Sequence, residues 1–330
     1  MITGLVLGKF YPFHKGHIGL IQFAKKQCDQ LIVLICASDK ETITGSVRLK
    51  WLEENFIDDP EIKPTLLNYS EKDLPNTSVS SEKTSATWAA KISSSFTGID
   101  IVFSSEPYGA YLANFLKCRH ISYDPLRTIY QISSSAIRKD IFKYWDFIAP
   151  PAQPYFVKKI CICGTESTGK SILAEKLAKA YHTAFVPEMA REILLTTDDC
   201  TPQHLIQIAA LQAATIQQKI QLADKFLFVD TDINTTRSYS RFLFGKELLV
   251  PQWVNEANHF DLYLFLENDA PYTQDGTRLD RQRRDQLNLY HREELANRKI
   301  KIELITGNWE ERFEKAVLII EKFFLSDQNI

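Results

Sequence analysis

The sequence predicts an α/β protein built as two parallel-sheet domains, and three observations carry that expectation. Strand-length apolar runs alternate with helical patterns along the whole chain, the arrangement that lays parallel strands under helices. The stretch GTESTGKS, Gly164 to Ser171, has the spacing of a phosphate-binding loop and follows the apolar run Phe156 to Cys163. Strand, glycine loop and helix is the order such a loop needs. Between the halves, Ala149-Pro150-Pro151-Ala152-Gln153-Pro154 reads as a linker, because closely spaced prolines neither continue a helix nor fill a central strand. The boundary is therefore placed between residues 150 and 151, and 330 residues are enough for each half to bury a core.

In the first half, strands are expected near 2 to 7, 31 to 36, 61 to 67, 99 to 103 and 119 to 123, and helices near 17 to 28, 47 to 56, 84 to 95 and 108 to 117. The polar stretch 68 to 83, with Pro75, Asn76 and several serines, reads as a loop. In the second half, strands near 156 to 163, 183 to 186, 225 to 229, 261 to 266 and 300 to 305 alternate with helices near 170 to 181, 202 to 223, 233 to 243 and 308 to 324. Cys161 and Cys163 alternate with apolar residues, which puts both on one face of a strand as buried thiols. No Cys-x-x-Cys or His/Cys pair completes a zinc site or a disulfide.

A formal net charge of -2 gives no electrostatic case for nucleic-acid binding. The longest apolar runs, Leu31 to Ala37 and Leu262 to Leu266, are far short of the roughly 20 residues of a membrane span. The opening MITGLVLGKFYPF has no basic leader segment, so the expected location is the cytoplasm. A homo-oligomer is left open.

Two stretches carry the chemistry of the first half. Gly8 ends the first strand, where backbone comes close to a ligand or turns sharply. His14 and His17 flank Lys15-Gly16 at a helix start, where free N–H groups attract anions and imidazoles can donate to a phosphate whose charge is growing. Capping of that helix is the plainer reading of the pair, and a His-x-x-His metal site lacks a third ligand. Further on, Ile132-Ser133-Ser134-Ser135-Ala136-Ile137-Arg138 offers hydroxyls, N–H groups and a guanidinium as a second anion cradle.

In the second half, the N–H groups of Gly164, Glu166, Ser167, Thr168 and Gly169 are expected around a β-phosphate, with Lys170 reaching the β and γ oxygens and Ser171 on Mg2+. Glu188 and Asp230 follow strands, where one carboxylate can hold a magnesium water and the other accept a hydroxyl proton. Asp232 reads as a helix cap. The run Asp275 to Arg284 holds Arg278, Arg281, Arg283 and Arg284 and is expected to be a polar lid that brings guanidinium groups over the phosphoryl.

The pair HKGH and ISSSAIR resembles the H-x-G-H and I-S-S-T-x-x-R signatures of the nucleotidyltransferases that move AMP or CMP onto a phosphate, with Ser135 where threonine is usual. That resemblance implies a Rossmann-like domain in which His17 stabilises transition-state charge and His14 contacts phosphates. Ser134 and Arg138 would hold the β and γ phosphates, with Gly8, Lys9, Phe10 and Ser133 in the same ATP site and Mg2+ accompanying ATP.

An adenylyltransferase followed by a phosphate-loop kinase resembles the bifunctional nicotinamide-mononucleotide adenylyltransferase and ribosylnicotinamide kinase, the NadR type. The likeness extends through Val102 to Pro107, Tyr144 to Ile148, Asp230-Thr231-Asp232 and Leu266 to Tyr272. It implies that ribosylnicotinamide is phosphorylated by ATP and that AMP is joined to the resulting nicotinamide mononucleotide, giving NAD+. Trp88 would stack on nicotinamide, core packing being its plainer reading, and Tyr272 stands where the family often has tryptophan. Either Glu188 or Asp230 would accept the proton, while Lys170, Arg278 and Arg281 meet phosphoryl charge. Many family members begin with a helix-turn-helix; here Met1 runs directly into the first strand, so DNA binding is not expected. Two other readings use the same domains: a pantetheine or flavin precursor as substrate, or one domain kept as a nucleotide sensor.

Overall fold

The computed structural model describes residues 1–75, 81–194, 199–269 and 280–325. The chain divides into two compact units, Met1–Tyr155 and Phe156–Ile330, each with its own five-stranded parallel sheet.

The first unit alternates β1 (Thr3–Gly8), α1 (Lys15–Lys25), β2 (Gln30–Ser38), α2 (Gly45–Asn55), β3 (Ile62–Tyr69), α3 (Glu82–Ser95), β4 (Ile101–Ser104), α4 (Tyr108–Leu116) and β5 (Arg119–Ser122). A short helix α5 (Ser134–Lys139) and 3-10 turns over Trp145–Phe147 and Pro150–Ala152 follow. The sheet order is β3-β2-β1-β4-β5. Strands β1, β2 and β4 are nearly continuous apolar runs because helices cover both faces of a parallel sheet. The order reverses at β1, and ligands bind at the carboxyl ends of strands at such a switch point.

The second unit runs through α6 (Gln153–Phe156, straddling the boundary), β6 (Lys158–Cys163), α7 (Lys170–Ala180), β7 (Phe185–Val186), α8 (Ala190–Ile193) and α9 (Pro202–Lys219). It continues with β8 (Phe226–Asp230), α10 (Ile233–Phe244), α11 (Gln252–Ala257), β9 (Leu262–Leu266), α12 (Arg281–Asn297), β10 (Glu303–Ile305) and α13 (Trp309–Phe324). The order β10-β9-β6-β8-β7 puts β6 at the centre, so the glycine loop leaves the middle of the sheet. Cys161 and Cys163 lie buried against Tyr263, Phe265 and Leu295, as their alternation predicts.

Two expectations are corrected. The proline-dense stretch is not an extended linker: Pro150 and Pro151 open a 3-10 turn, Pro154 lies in the first turn of α6, and Ala149 and Ala152 are fully buried. Proline is suited to first turns, where its missing N–H is not needed. The units accordingly divide after Tyr155 rather than after residue 150. The arginine-rich run continues into a helix that was not expected: α12 begins at Arg281, capped by Asp280, whose side chain accepts from the Arg283 N–H. The first part, with Tyr272 and Arg278, lies outside the described residues. Among the described residues no helix is long and apolar enough to cross a membrane.

Candidate active sites

In the first unit a cavity of about 440 Å³ opens at the carboxyl end of β1 and is lined by Gly8, Lys9, Phe10, His14, His17, Trp88, Ser133, Ser134 and Arg138. His14 is the N-cap of α1: its Nδ1 accepts from the Gly16 N–H at 3.1 Å, and its own N–H donates to Nδ1 of His17 at 3.3 Å. The capping reading of the pair therefore holds, and it uses Nδ1 of each ring. With each Nδ1 accepting, the proton of each neutral ring belongs on Nε2. The rings are stacked 3.7 Å apart, too close for two cations. Burial, aided by the Arg127 guanidinium, pushes His14 down to about 3; burial, then His14 and Arg127, holds His17 well below its ordinary value. The site thus carries two neutral imidazoles, each with an N–H to donate.

The surrounding side chains fix these rings. Phe10, at φ 50 and buried, sets its ring against His17 at 4.9 Å, so its side chain supports the imidazole. Lys9 pairs with Glu41 at 3.3 Å, and the buried Arg48 donates to the Lys9 carbonyl at 2.8 Å. Ser133 caps α5 by accepting from the Ala136 N–H, and Ser134 donates to the Pro12 carbonyl at 3.2 Å. Arg138 donates to the Tyr11 carbonyl and to Ser135 Oγ, and its guanidinium lies 4.9 Å from the Tyr11 ring. The two cradles are thereby tied together across more than a hundred residues of sequence. Trp88 is half-buried, edge-on to Tyr69 at 5.0 Å, donates to the Pro75 carbonyl and lines the cavity. Arg127, which the sequence reading passed over, rims the same cavity and pairs with Glu106 at 3.2 Å.

In the second unit the glycines are required by geometry. Gly164 has φ 134, and a Cβ there would meet the Leu266 carbonyl oxygen at 2.6 Å; Gly169 has φ 83, and a Cβ there would strike Trp309 at 2.2 Å. Side chains at either place would deform the loop. Lys170 is buried and donates to the Thr165 carbonyl at 2.8 Å, and Thr168 Oγ1 donates to the same carbonyl at 2.8 Å. Glu166 accepts from the Tyr239 hydroxyl at 2.8 Å.

Ser171 donates to Asp230 Oδ2 at 2.5 Å. Asp230 is completely buried, its Oδ1 has no hydrogen-bond partner, and burial followed by the Glu188 charge pushes its carboxyl up to about 6. An orphaned buried carboxylate oxygen beside a serine hydroxyl is what a divalent cation carried by a nucleotide would satisfy. Among the described residues no group of three or more His, Cys, Asp or Glu could hold a metal by itself. Glu188, by contrast, is 21% exposed and lies 3.6 Å from Arg191, which in turn reaches Ser171 Oγ at 3.5 Å. Asp232 caps α10, accepting from the N–H groups of Asn234 and Thr235 and from Tyr263.

Of the arginine run, Arg281 stands exposed at the start of α12, while Arg284 is buried and donates to the Glu166 carbonyl at 2.9 Å and to Asn268 at 3.1 Å. Arg312, also missed by the sequence reading, is 1% exposed and clamps the loop from behind: it donates to the carbonyls of Thr168, Glu267 and Gly307 and pairs with Asp269.

This fold and these two sites define a two-domain nucleotide enzyme, a nucleotidyltransferase joined to a phosphate-loop kinase. Residues 5–140 match the Cytidylyltransferase-like family and residues 159–312 the AAA domain family. The chain is 33% identical over 297 residues to the trifunctional NAD biosynthesis/regulator protein NadR of Salmonella typhimurium, covering 83% of this chain and 71% of that one. It is equally similar to the Escherichia coli protein of the same name, 33% over 298 residues with the same coverage. The chain belongs to the NadR family. The fold agrees with a crystal structure of NadR in complex with NR, at a TM-score of 0.79 and 20% identity over 98% of this chain and 96% of that one. The chain is also similar to a nicotinamide-nucleotide adenylyltransferase of Thermococcus kodakarensis, 26% identical over 164 residues, 48% of this chain and 82% of that one.

Proposed function

We infer that the protein is a bifunctional enzyme of NAD salvage: the second domain phosphorylates the 5′-hydroxyl of ribosylnicotinamide from ATP, and the first joins AMP from ATP to the resulting mononucleotide, releasing pyrophosphate and NAD+. The observation that supports this reading is the presence, in one NadR-family chain, of the HKGH and GTESTGKS turns, each at the carboxyl end of a central parallel strand and at the start of a helix.

In adenylyl transfer the mononucleotide phosphate attacks the α-phosphate of ATP with no covalent enzyme intermediate, so the protein supplies position and charge stabilisation. His17 Nε2–H donates to the oxygen on which charge develops, and His14 Nε2–H donates to the neighbouring phosphate. Ser134 and Arg138 hold the β and γ phosphates, with Gly8, Lys9 and Ser133 shaping their bed. Trp88 offers its ring to the nicotinamide.

In phosphoryl transfer the backbone N–H groups of Gly164 to Gly169 surround the β-phosphate, and Lys170 leaves the Thr165 carbonyl for the β and γ oxygens. Ser171 and Asp230 would hold Mg2+, which supplies charge neutralisation to the phosphates. That assignment leaves Glu188, the open carboxylate, as the proton acceptor for the 5′-hydroxyl. Arg278 and Arg281 meet the charge of the moving phosphoryl, and Tyr272 offers a ring to the nucleoside.

The test is a substrate comparison: purified protein with ATP and Mg2+ is offered ribosylnicotinamide, pantetheine or riboflavin, and products are separated by chromatography. Ribosylnicotinamide alone is expected to give a mononucleotide and then NAD+. Turnover of pantetheine or riboflavin in preference to it would overturn the substrate assignment while leaving the reaction types standing.

A further inference from the structure

We propose that Gln212 is a positioning residue of the kinase site, a buried neutral amide that sets the separation of Glu188 and Asp230; this rests on the reading of that site given above. Strand β7 is two residues long and pairs Phe185 with Phe228 and Val186 with Val229. The next residue is Pro187, which has no N–H with which to extend the ladder. Sheet pairing between β7 and β8 therefore stops just short of the two residues that carry the chemistry.

Gln212, on α9 and 4% exposed, replaces the missing pairing. Its Oε1 accepts from the Met189 N–H at 2.9 Å, and its Nε2 donates to the Asp230 carbonyl at 3.2 Å. One partner directly follows Glu188 in the chain, and the other is the backbone of Asp230 itself. The partners fix the amide's orientation, since an N–H requires the oxygen and a carbonyl requires the NH2 group. Buried groups of this kind have no water to turn to, so losing the amide leaves an N–H and a carbonyl unsatisfied where two carboxylates already repel each other. A lysine in this place would neutralise one acid, and an ionised glutamate would add a third negative charge. Only a neutral group with one donor and one acceptor holds the two strand ends together without altering their charge.

The test uses the full chain with Gln212→Met and Gln212→Glu. Methionine is similar in length and offers neither a good donor nor a good acceptor. A protonated glutamate presents one of each, as glutamine does, whereas an ionised one can only accept. Kinase kcat of Gln212→Met is expected to fall roughly tenfold or more, as for outer-shell partners of a site, with a ratio to wild type that does not change with pH. For Gln212→Glu that ratio should climb toward one as the pH is lowered from about 8 to about 5.5, across the range in which a buried carboxyl gains its proton. Adenylyl transfer, measured on the same samples, should stay at the wild-type level. Wild-type kcat in Gln212→Met, or a Gln212→Glu ratio that stays as low as that of Gln212→Met at every pH, would overturn the positioning role while leaving the kinase assignment intact. A wild-type chain that does not phosphorylate ribosylnicotinamide would remove the reading on which the role rests, and the role with it.

Discussion

On the proposed reading, His14 and His17 serve structure and chemistry through different atoms. The Nδ1 of each ring accepts a backbone hydrogen bond that closes the first turn of α1, which leaves each Nε2–H for the ligand. Because burial keeps both rings neutral, adenylyl transfer should show no acid limb of histidine origin near the ordinary value of about 6.5. The check is kcat/KM for the mononucleotide against pH; an acid limb there that disappears in His14→Asn would contradict the neutral pair. Asp230 behaves in the opposite sense. Its carboxyl is raised to about 6, so it is charged above that pH and loses its charge as the pH falls through it. Mg2+-dependent ATP binding to the kinase domain should weaken over the same interval. The Glu188 charge is part of the cause, so Glu188→Gln should move the midpoint to lower pH in a titration of nucleotide affinity. A midpoint that is unmoved, or moved upward, would show that the two carboxylates do not feel each other.

At the scale of elements, the glycine loop is held by a helix far from it in sequence. Arg312, on α13, satisfies three carbonyls and an aspartate while almost completely buried. Removing one partner of such a network strands the others, and Arg312→Leu is expected to destabilise the second domain by about 3–5 kcal/mol. Thermal unfolding followed together with both activities checks this: kinase activity should be lost at temperatures where adenylyl transfer persists. Elements like α13 were legible in the sequence because their apolar spacing is regular. Helix α12 was not, since Arg281, Arg283 and Arg284 hide its apolar spacing at the start and Leu287 and Leu295 are too far apart to restore it. The proline-dense stretch was misread for a related reason: proline is excluded from helix interiors but welcome in first turns, and composition alone does not tell the two apart.

Across the whole molecule, both candidate sites follow one plan: a central parallel strand, a turn at its carboxyl end and a helix that begins there. The parts that lie within single motifs, HKGH, ISSSAIR and GTESTGKS, could be read directly because local spacing carries their meaning. Arg127, Gln212 and Arg312 could not, because each is brought to its site by the fold from an unremarkable stretch of chain. The central claim is that the two sites act in series on one substrate, the product of one being the substrate of the other. The measurement that tests it most directly follows ribosylnicotinamide, ATP and Mg2+ by chromatography with wild type, Lys170→Ala and His17→Ala. Wild type is expected to make NAD+, Lys170→Ala to leave ribosylnicotinamide unchanged, and His17→Ala to accumulate nicotinamide mononucleotide. NAD+ formation by both variants, or a mononucleotide that builds up in Lys170→Ala instead, would contradict the account.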